Sequence, residues 1–225
     1  MFSAAIFDMD GLLIDSERAI MNAWIAVAGE LGVTVTPADY LPIIGRSAAE
    51  CFAMLTDIVG GEAIFREAQP RVRHRLATFA EIEGFPLKSG AQPLLTKLAQ
   101  AGIPCAVASS SSRAEIEFRL GRAGVLRFFA AIAGGDEVAR GKPDPAVYRL
   151  AADRIRARPD ECLAFEDSDN GARAATRAGI AVITVPDLKP TSAEIAALSF
   201  KVLTRLDDAI EHVPAWFMLP AASAA

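Results

Sequence analysis

Short apolar runs recur along this chain, and helical patterns separate them. Ser3–Phe7, Ile103–Ala108, Ala130–Ala133, Cys162–Phe165 and Ile180–Val185 are the clearest, each bounded by Gly, Pro, Ser or Asp. Short runs without polar alternation fit strands covered on both faces, as in a parallel sheet. The connectors carry helix signals. Leu94, Leu95 and Leu98 precede Gly102, a stop after a helix end. Ser112-Arg113-Ala114-Glu115 and Ser47-Ala48-Ala49-Glu50 each fit a capping box. Asp144-Pro145 sets a cap before a proline that a first helical turn tolerates, and Asn170–Ala178 reads as a helix ended by Gly179. Strand, helix, strand, helix predicts a doubly wound parallel α/β sheet.

The first interval breaks this rhythm. From Gly11 to Ile103 no strand signal appears, while Ile20, Trp24, Val27 and Leu31 follow helical spacing. Further helices are predicted over Ser47–Val59 and Glu62–Ala80. A helical module of about 65 residues is therefore inserted just after the first strand. It leaves near Leu13–Ser16 and returns near Gly84–Gly90, a stretch with two Gly and one Pro that suits a hinge. The expected division is a catalytic core over 1–15 and 88–225 and a helical cap over 16–87.

Composition narrows the function classes. The chain has 225 residues, 52% of them hydrophobic and 23% charged, with net charge -5. An acidic chain without a Lys/Arg cluster is a poor partner for nucleic acid or an anionic membrane surface. The stretches Arg71–Arg75 and Arg154–Arg158 read as solvated helix faces. Three cysteines without metal spacing read as buried small hydrophobes in a reducing compartment. Asp8 and Asp10 come too early for a signal peptide, and no uncharged apolar run reaches the ~18 residues of a membrane span. A cytoplasmic monomer or weak homodimer is expected. Pro214–Ala225, apolar and Ala-rich, reads as a loosely held tail, with docking against a partner chain left open. His74 and His212 have no partner that points to histidine chemistry, and both read as surface.

Four polar clusters follow the apolar runs. Asp8-Met9-Asp10-Gly11 follows the first, at the strand end where doubly wound sheets bind ligands. Two carboxylates at i and i+2 can serve one centre, one as nucleophile and one handling a proton. Taken alone they also fit a helix-capping turn. Glu166-Asp167-Ser168-Asp169 is a second acidic cluster at a strand end. Neighbouring acidic clusters repel unless a cation lies between them, and hard oxygen donors suit Mg2+. Ser109–Ser112 offers hydroxyls and backbone N–H groups at a helix start, a phosphate site or simply a loop. Gly141-Lys142-Pro143-Asp144-Pro145 supplies a cation in a proline-held turn.

The order of the four decides. FDMDGLLIDSE, VASSSS, GKPDP and FEDSDNGARAA resemble the four motifs of the haloacid dehalogenase-like superfamily, over residues 3 to about 187. The insert resembles the helical cap of the subfamily that holds β-phosphoglucomutase and small sugar-phosphate phosphatases. The resemblance implies a Rossmann-like core and a Mg2+-dependent phosphomonoesterase for a small phosphorylated metabolite. It implies Asp8 as nucleophile and metal ligand. Asp10 becomes the acid/base, protonated at the start, and a ligand through its carbonyl. Ser109, Ser110 and Lys142 bind phosphate, and Glu166 and Asp167 bind metal. Glu17, Arg18 and Arg46, flanking the hinge and cap loop, are candidate substrate contacts. Where β-phosphoglucomutase carries a cap histidine and a cap-loop arginine, this chain has Ile20 and Ala48, so a phosphatase is favoured and a mutase is the alternative. A haloacid dehalogenase would typically lack the second aspartate and need no metal. A phospho-receiver domain places its aspartate after the third strand. A P-loop is excluded by the spacing from Gly135 to Lys142 and by Pro143.

Overall fold

The apolar runs become strands because their side chains are covered on both faces. The computed structural model describes residues 1–46 and 48–217. Strands β1 (Ala4–Phe7), β2 (Cys105–Ala108), β3 (Phe129–Ala133), β4 (Cys162–Glu166), β5 (Ala181–Thr184) and β6 (Lys201–Val202) form one sheet. It is parallel throughout, in the order β3-β2-β1-β4-β5-β6. β1 is central, and the chain winds outward from it in both directions. The pattern gave no sign of β6, whose two residues are exposed at the sheet edge.

Helices α1 (Glu17–Glu30), α2 (Pro37–Tyr40), α3 (Ala48–Ile58) and α4 (Glu62–Ile82) lie between β1 and β2. The connectors that follow contain α5 (Ala91–Gln100), α6 (Arg113–Arg122), α7 (Ala146–Arg154), α8 (Asp169–Arg177), α9 (Ala193–Leu198) and α10 (Val213–Trp216). Alternation along β1 sends Ala5 and Phe7 to one face, with Leu94, Leu98 and Ile116 of α5 and α6. Ala4 and Ile6 go to the other, with Val147, Tyr148 and Ala172 of α7 and α8. Phe7 and Phe165 of the neighbouring strand stack with ring centroids 4.7 Å apart. Burying each such ring contributes about 1.5–3 kcal/mol. Cys105 and Cys162 lie in these cores, where burial pushes each thiol up to about 12.

The caps match the sequence with small shifts. Ser112 and Glu115 form the expected box at α6. Ser168 caps α8, accepting from Gly171 N–H at 3.1 Å. α7 starts after Pro145, and Asp144 Oδ1 accepts from Ala146 N–H at 3.1 Å. Ser47, and with it the second expected box, lies outside the described residues, as does the side chain of Ala48. A further box, Thr36 with Asp39, starts α2, which was missed because the element is a single turn. Two expectations are corrected. Arg154 ends α7 and Arg156 has φ +55°, so Arg154–Arg158 is a helix end and turn and not a helix face. Pro214–Phe217 is docked: Phe217 is fully buried and pairs with Phe2, and α10 packs Trp216 against Phe200. The remainder of the expected tail lies outside the described residues. His74 is exposed, and half-buried His212 lies against Trp216.

Helices α1–α4 bury their own cluster, including Trp24, Val27, Leu55, Phe65 and Val72. The chain enters and leaves this region side by side. Asp15 N–H donates to Pro86 and Lys88 N–H to Leu13, each at 2.9 Å. Gly90 has φ +81°, and a Cβ there would overlap the Asp207 backbone, so the second crossing requires glycine. None of the described helices is long and apolar enough to cross a membrane.

Candidate active site

The strand ends bring the four clusters together. Asp8 leaves β1, Ser109 leaves β2, Lys142 comes from the loop after β3, and Glu166 ends β4 with Asp167 next. This is the carboxyl edge of the sheet, at the point where its winding reverses direction. Carboxylate oxygens of Asp8, Glu166 and Asp167 lie within 4.8 Å of one another. Lys142 Nζ donates to Asp8 Oδ1 and Glu166 Oε1, both at 2.5 Å. The Tyr148 hydroxyl donates to the same Glu166 oxygen at 2.5 Å, while Ser168 N–H and Oγ donate to Oε2 at 3.4 and 3.2 Å.

Electrostatics make this cluster unstable by itself. Burial pushes Asp8 well above the usual carboxylate range, with Lys142 pulling down and Glu166 and Asp10 adding to the rise. Burial also pushes Asp167 up, reinforced by Asp8 and Glu166. Burial works against the charge on Lys142, yet Asp8 and Glu166 outweigh it and hold the ammonium charged. Three carboxylates against one ammonium leave two formal negative charges. Glu166 is saturated by protein donors. Asp167 has no hydrogen-bond donor among the described residues, and a Cβ on Gly11 would overlap its Oδ2. An acidic pocket with one unpartnered carboxylate, kept clear by a glycine at φ +83°, fits a divalent cation bound by oxygen. Asp8 and Asp167 are the side chains positioned to hold it.

Asp10 sits differently. Its Oδ1 accepts from Ser16 Oγ at 2.7 Å and from Arg119 Nη1 at 2.8 Å, and its Oδ2 accepts from Ser111 Oγ at 2.9 Å. Ser109 is buried, and its Oγ accepts from Ser111 N–H at 3.1 Å. Ser110 lines the cavity in front of Asp8 and Lys142, as do Glu17 and Arg46. Burial, with Asp10, Asp187 and Asp15 adding, pushes Glu17 up to about 7. Arg46 bonds Glu50 at 3.2 Å at the rim. Arg18 is the candidate that the structure leaves out of the cavity. Half exposed, it lies 3.2 Å from Asp15 and 3.8 Å from Asp187. Asp187 is in turn bound by Lys88 at 2.5 Å.

Sequence reasoning missed Ser16, Ser111, Arg119, Tyr148 and Asn170, whose Nδ2 donates to Gly45 O at 2.9 Å and ties α8 to the loop before α3. Ser111 could have been found, since it stands in the serine run already singled out. The others are single residues inside helix or hinge patterns.

Comparison with known proteins agrees with this arrangement. The haloacid dehalogenase-like hydrolase family matches residues 2–179. The validoxylamine A 7'-phosphate phosphatase of Streptomyces hygroscopicus subsp. limoneus is 32% identical over 183 residues, 80% of this chain and 84% of that protein. A phosphorylated carbohydrates phosphatase of Thermotoga maritima is 32% identical over 178 residues, 79% of this chain and 82% of its own. The crystal structure of CbbY from Rhodobacter sphaeroides in complex with phosphate superposes with a TM-score of 0.77 at 28% identity, covering 93% of this chain and 96% of that one. The chain belongs to the haloacid dehalogenase-like hydrolase family and falls among its phosphatases.

Proposed function

We propose that this protein is a Mg2+-dependent phosphomonoesterase for a small phosphorylated metabolite, a sugar phosphate or related ester, working through an aspartyl-phosphate. The observation that carries the reading is the approach of Asp8, Glu166 and Asp167 within 4.8 Å of one another, with Lys142 Nζ 2.5 Å from Asp8. A lysine-paired carboxylate at an anion-binding strand end suits attack on phosphorus.

In this reading an Asp8 carboxylate oxygen bonds to phosphorus while the bond from phosphorus to the leaving oxygen breaks. Asp10 gives that oxygen a proton and then takes one from the water that hydrolyses the aspartyl-phosphate, releasing phosphate and regenerating Asp8. Ser109, Ser110 and Lys142 bind the phosphoryl oxygens. Asp8, Asp167 and the Asp10 carbonyl, with Glu166 behind them, would hold a bound Mg2+, which would supply positive charge to the phosphoryl oxygens. Residues 16–87 act as a cap over a core formed by 1–15 and 88–225, excluding bulk water when closed. Glu17 and Arg46 face the leaving group. A cytoplasmic enzyme, monomeric or weakly dimeric, completes the proposal.

Phosphate release from an aryl phosphate with Mg2+ tests it. Acid-quenched turnover should leave phosphate on Asp8, and Asp10→Asn should accumulate that adduct. Turnover with no adduct in either protein would refute the covalent route. The alternative, a phosphomutase, requires an isomeric sugar phosphate instead of free phosphate as product, and Ile20 stands where that subfamily carries its cap histidine.

A further inference from the structure

The turn after β4 does more than present Asp167. Ser168 caps α8, and Asn170 stands at the second position of that helix. Its Nδ2 donates to the Gly45 carbonyl at 2.9 Å, so the turn reaches across to the helical region. A carbonyl only accepts, so the amide must offer its NH2 there. Gly45 also approaches the turn closely. It has φ +74°, and a Cβ on it would lie 3.5 Å from Ser168 Cβ. Leu188, on the loop after β5, packs against the helices' own cluster. The loop that carries Gly45 is thus seated on the core beside Asp167, in addition to the two hinge crossings.

The same loop carries Arg46. Among the described residues it is the cation that the helical side brings to the cavity, Lys142 coming from the core. Its Nη1 pairs with Glu50 at 3.2 Å and its Nε donates to the Pro42 carbonyl at 3.3 Å, and the side chain is 45% exposed. An exposed pair of this kind contributes about 0–1 kcal/mol, so little opposes its exchange for the oxygens of a leaving group. Cys51 Sγ lies 3.6 Å from the carbonyls of Ile43 and Arg46. The backbone from which Arg46 reaches is therefore held from both sides, by Cys51 and by Asn170.

We propose that Asn170 is a positioning residue: by holding the Gly45 carbonyl it sets Arg46 against the hydroxyl and carbonyl oxygens of a sugar leaving group. The physical reason is geometric. The arginine side chain is long and flexible, and its donors are directional, so it contributes to a transition state only from a fixed backbone. Displacing the guanidinium by about an ångström forfeits that contribution. The turn that offers Asp167 to a cation thereby also places the residue that reads the ester. The inference rests on the phosphatase reading above and adds to it the group that places Arg46.

Phosphate release with Mg2+ is measured for glucose 1-phosphate, glucose 6-phosphate, fructose 1-phosphate and fructose 6-phosphate. Phenyl phosphate is the reference, since its ring carries no hydroxyl or carbonyl for Arg46. The readout is the ratio of kcat/KM for the best of the four sugar phosphates to that for phenyl phosphate. Asn170→Ala should lower this ratio about tenfold, as should Arg46→Ala, and the double variant should lie within about twofold of Arg46→Ala. A merely structural loss at α8 would lower both esters together and keep the wild-type ratio, which overturns the proposal. An undiminished further loss in the double variant overturns it as well. Asn170→Asp keeps the shape and suits a helix N-terminus, but it meets the Gly45 carbonyl with oxygen in place of NH2. Its ratio should fall at least as far as that of the alanine variant, and a wild-type ratio refutes the tether. Release from phenyl phosphate but from no sugar phosphate overturns the inference and leaves the phosphatase reading intact. Release from none of the esters overturns that reading, and the inference falls with it.

Discussion

On the sheet side of the cavity, ionic groups are bonded to one another: Lys142 to Asp8 and Glu166, Tyr148 and Ser168 to Glu166, Arg119 to Asp10. On the helical side, Ile20, Trp24, Ile43 and Leu55 meet the cavity with nothing but packing behind them. The first wall is fixed by hydrogen bonds whose loss strands a buried charge; the second is fixed by volume and shape. Substitutions on the sheet wall should therefore change whether phosphoryl transfer occurs. Substitutions on the helical wall should change which ester is accepted.

The largest effect belongs to Asp8. Asp8→Asn keeps the side-chain volume and a contact for Lys142 but removes the proposed nucleophile. Phosphate release should fall by at least about 10^3-fold while cooperative melting is retained. Retained turnover would place the nucleophile elsewhere. Next is the cation. Chelation should abolish turnover reversibly, and Asp167→Asn should weaken Mg2+ binding, measured by calorimetry without substrate, about tenfold or more. Unchanged binding would assign the cation to another group and leave Asp167 as a buried carboxylate without a role.

The two walls also differ in how far they could be read from sequence. Asp8, Ser109, Lys142 and Asp167 were legible because each breaks an apolar run, or the turn after one, at a place where parallel sheets present ligands. Tyr148 was not, because it falls in the helical spacing Val147, Tyr148, Ala151, Ala152 and reads as core. Ile20 and Trp24 show the same limit from the other side: periodicity identifies an apolar helix face but cannot tell a face packed on protein from one facing a cavity. β6 lacked any pattern because an exposed two-residue edge strand buries nothing. The docking of Phe217 on Phe2 joins opposite ends of the chain, and no local pattern encodes it.

Glu17 lies where the walls meet, and its titration sharpens the boundary. Burial and three neighbouring carboxylates move it from 4.5 to about 7. The folded protein thus holds this proton more tightly than the unfolded chain. The stability that the proton lends is fully present below about pH 4.5 and is lost as the pH rises through about 7. At about 1.4 kcal/mol per pH unit, the loss across this range is on the order of 3–4 kcal/mol. Urea midpoints of the chelated protein at pH 5 and pH 8 should therefore fall further for wild type than for Glu17→Gln. Parallel behaviour would place Glu17 in contact with solvent and outside the buried boundary.

Arg119 tests whether the order of the sheet wall extends beyond the four motifs. It approaches Asp10 Oδ1 at 2.8 Å, is steadied by Glu115 at 3.4 Å, and lies over the Phe85 ring at 5.2 Å, beside the second crossing to the helices. It does not line the cavity itself and reaches it only through Asp10, so its effect must pass through the orientation of that carboxylate. Arg119→Leu frees that carboxylate to sample other rotamers. Misplacement of an acid/base by even an ångström lowers the chemical step, so kcat should fall about tenfold, or about 1.4 kcal/mol, with KM nearly unchanged. Arg119→Lys keeps the charge and should recover part of the loss. A purely structural role would lower the melting temperature of both variants and leave kcat at its wild-type value below the melt. A change in KM alone would move Arg119 to the specificity side of the division. The expected result, a loss confined to kcat and partly rescued by lysine, would mean that a residue within a helix sets the acid/base in place as firmly as the strand end that carries it.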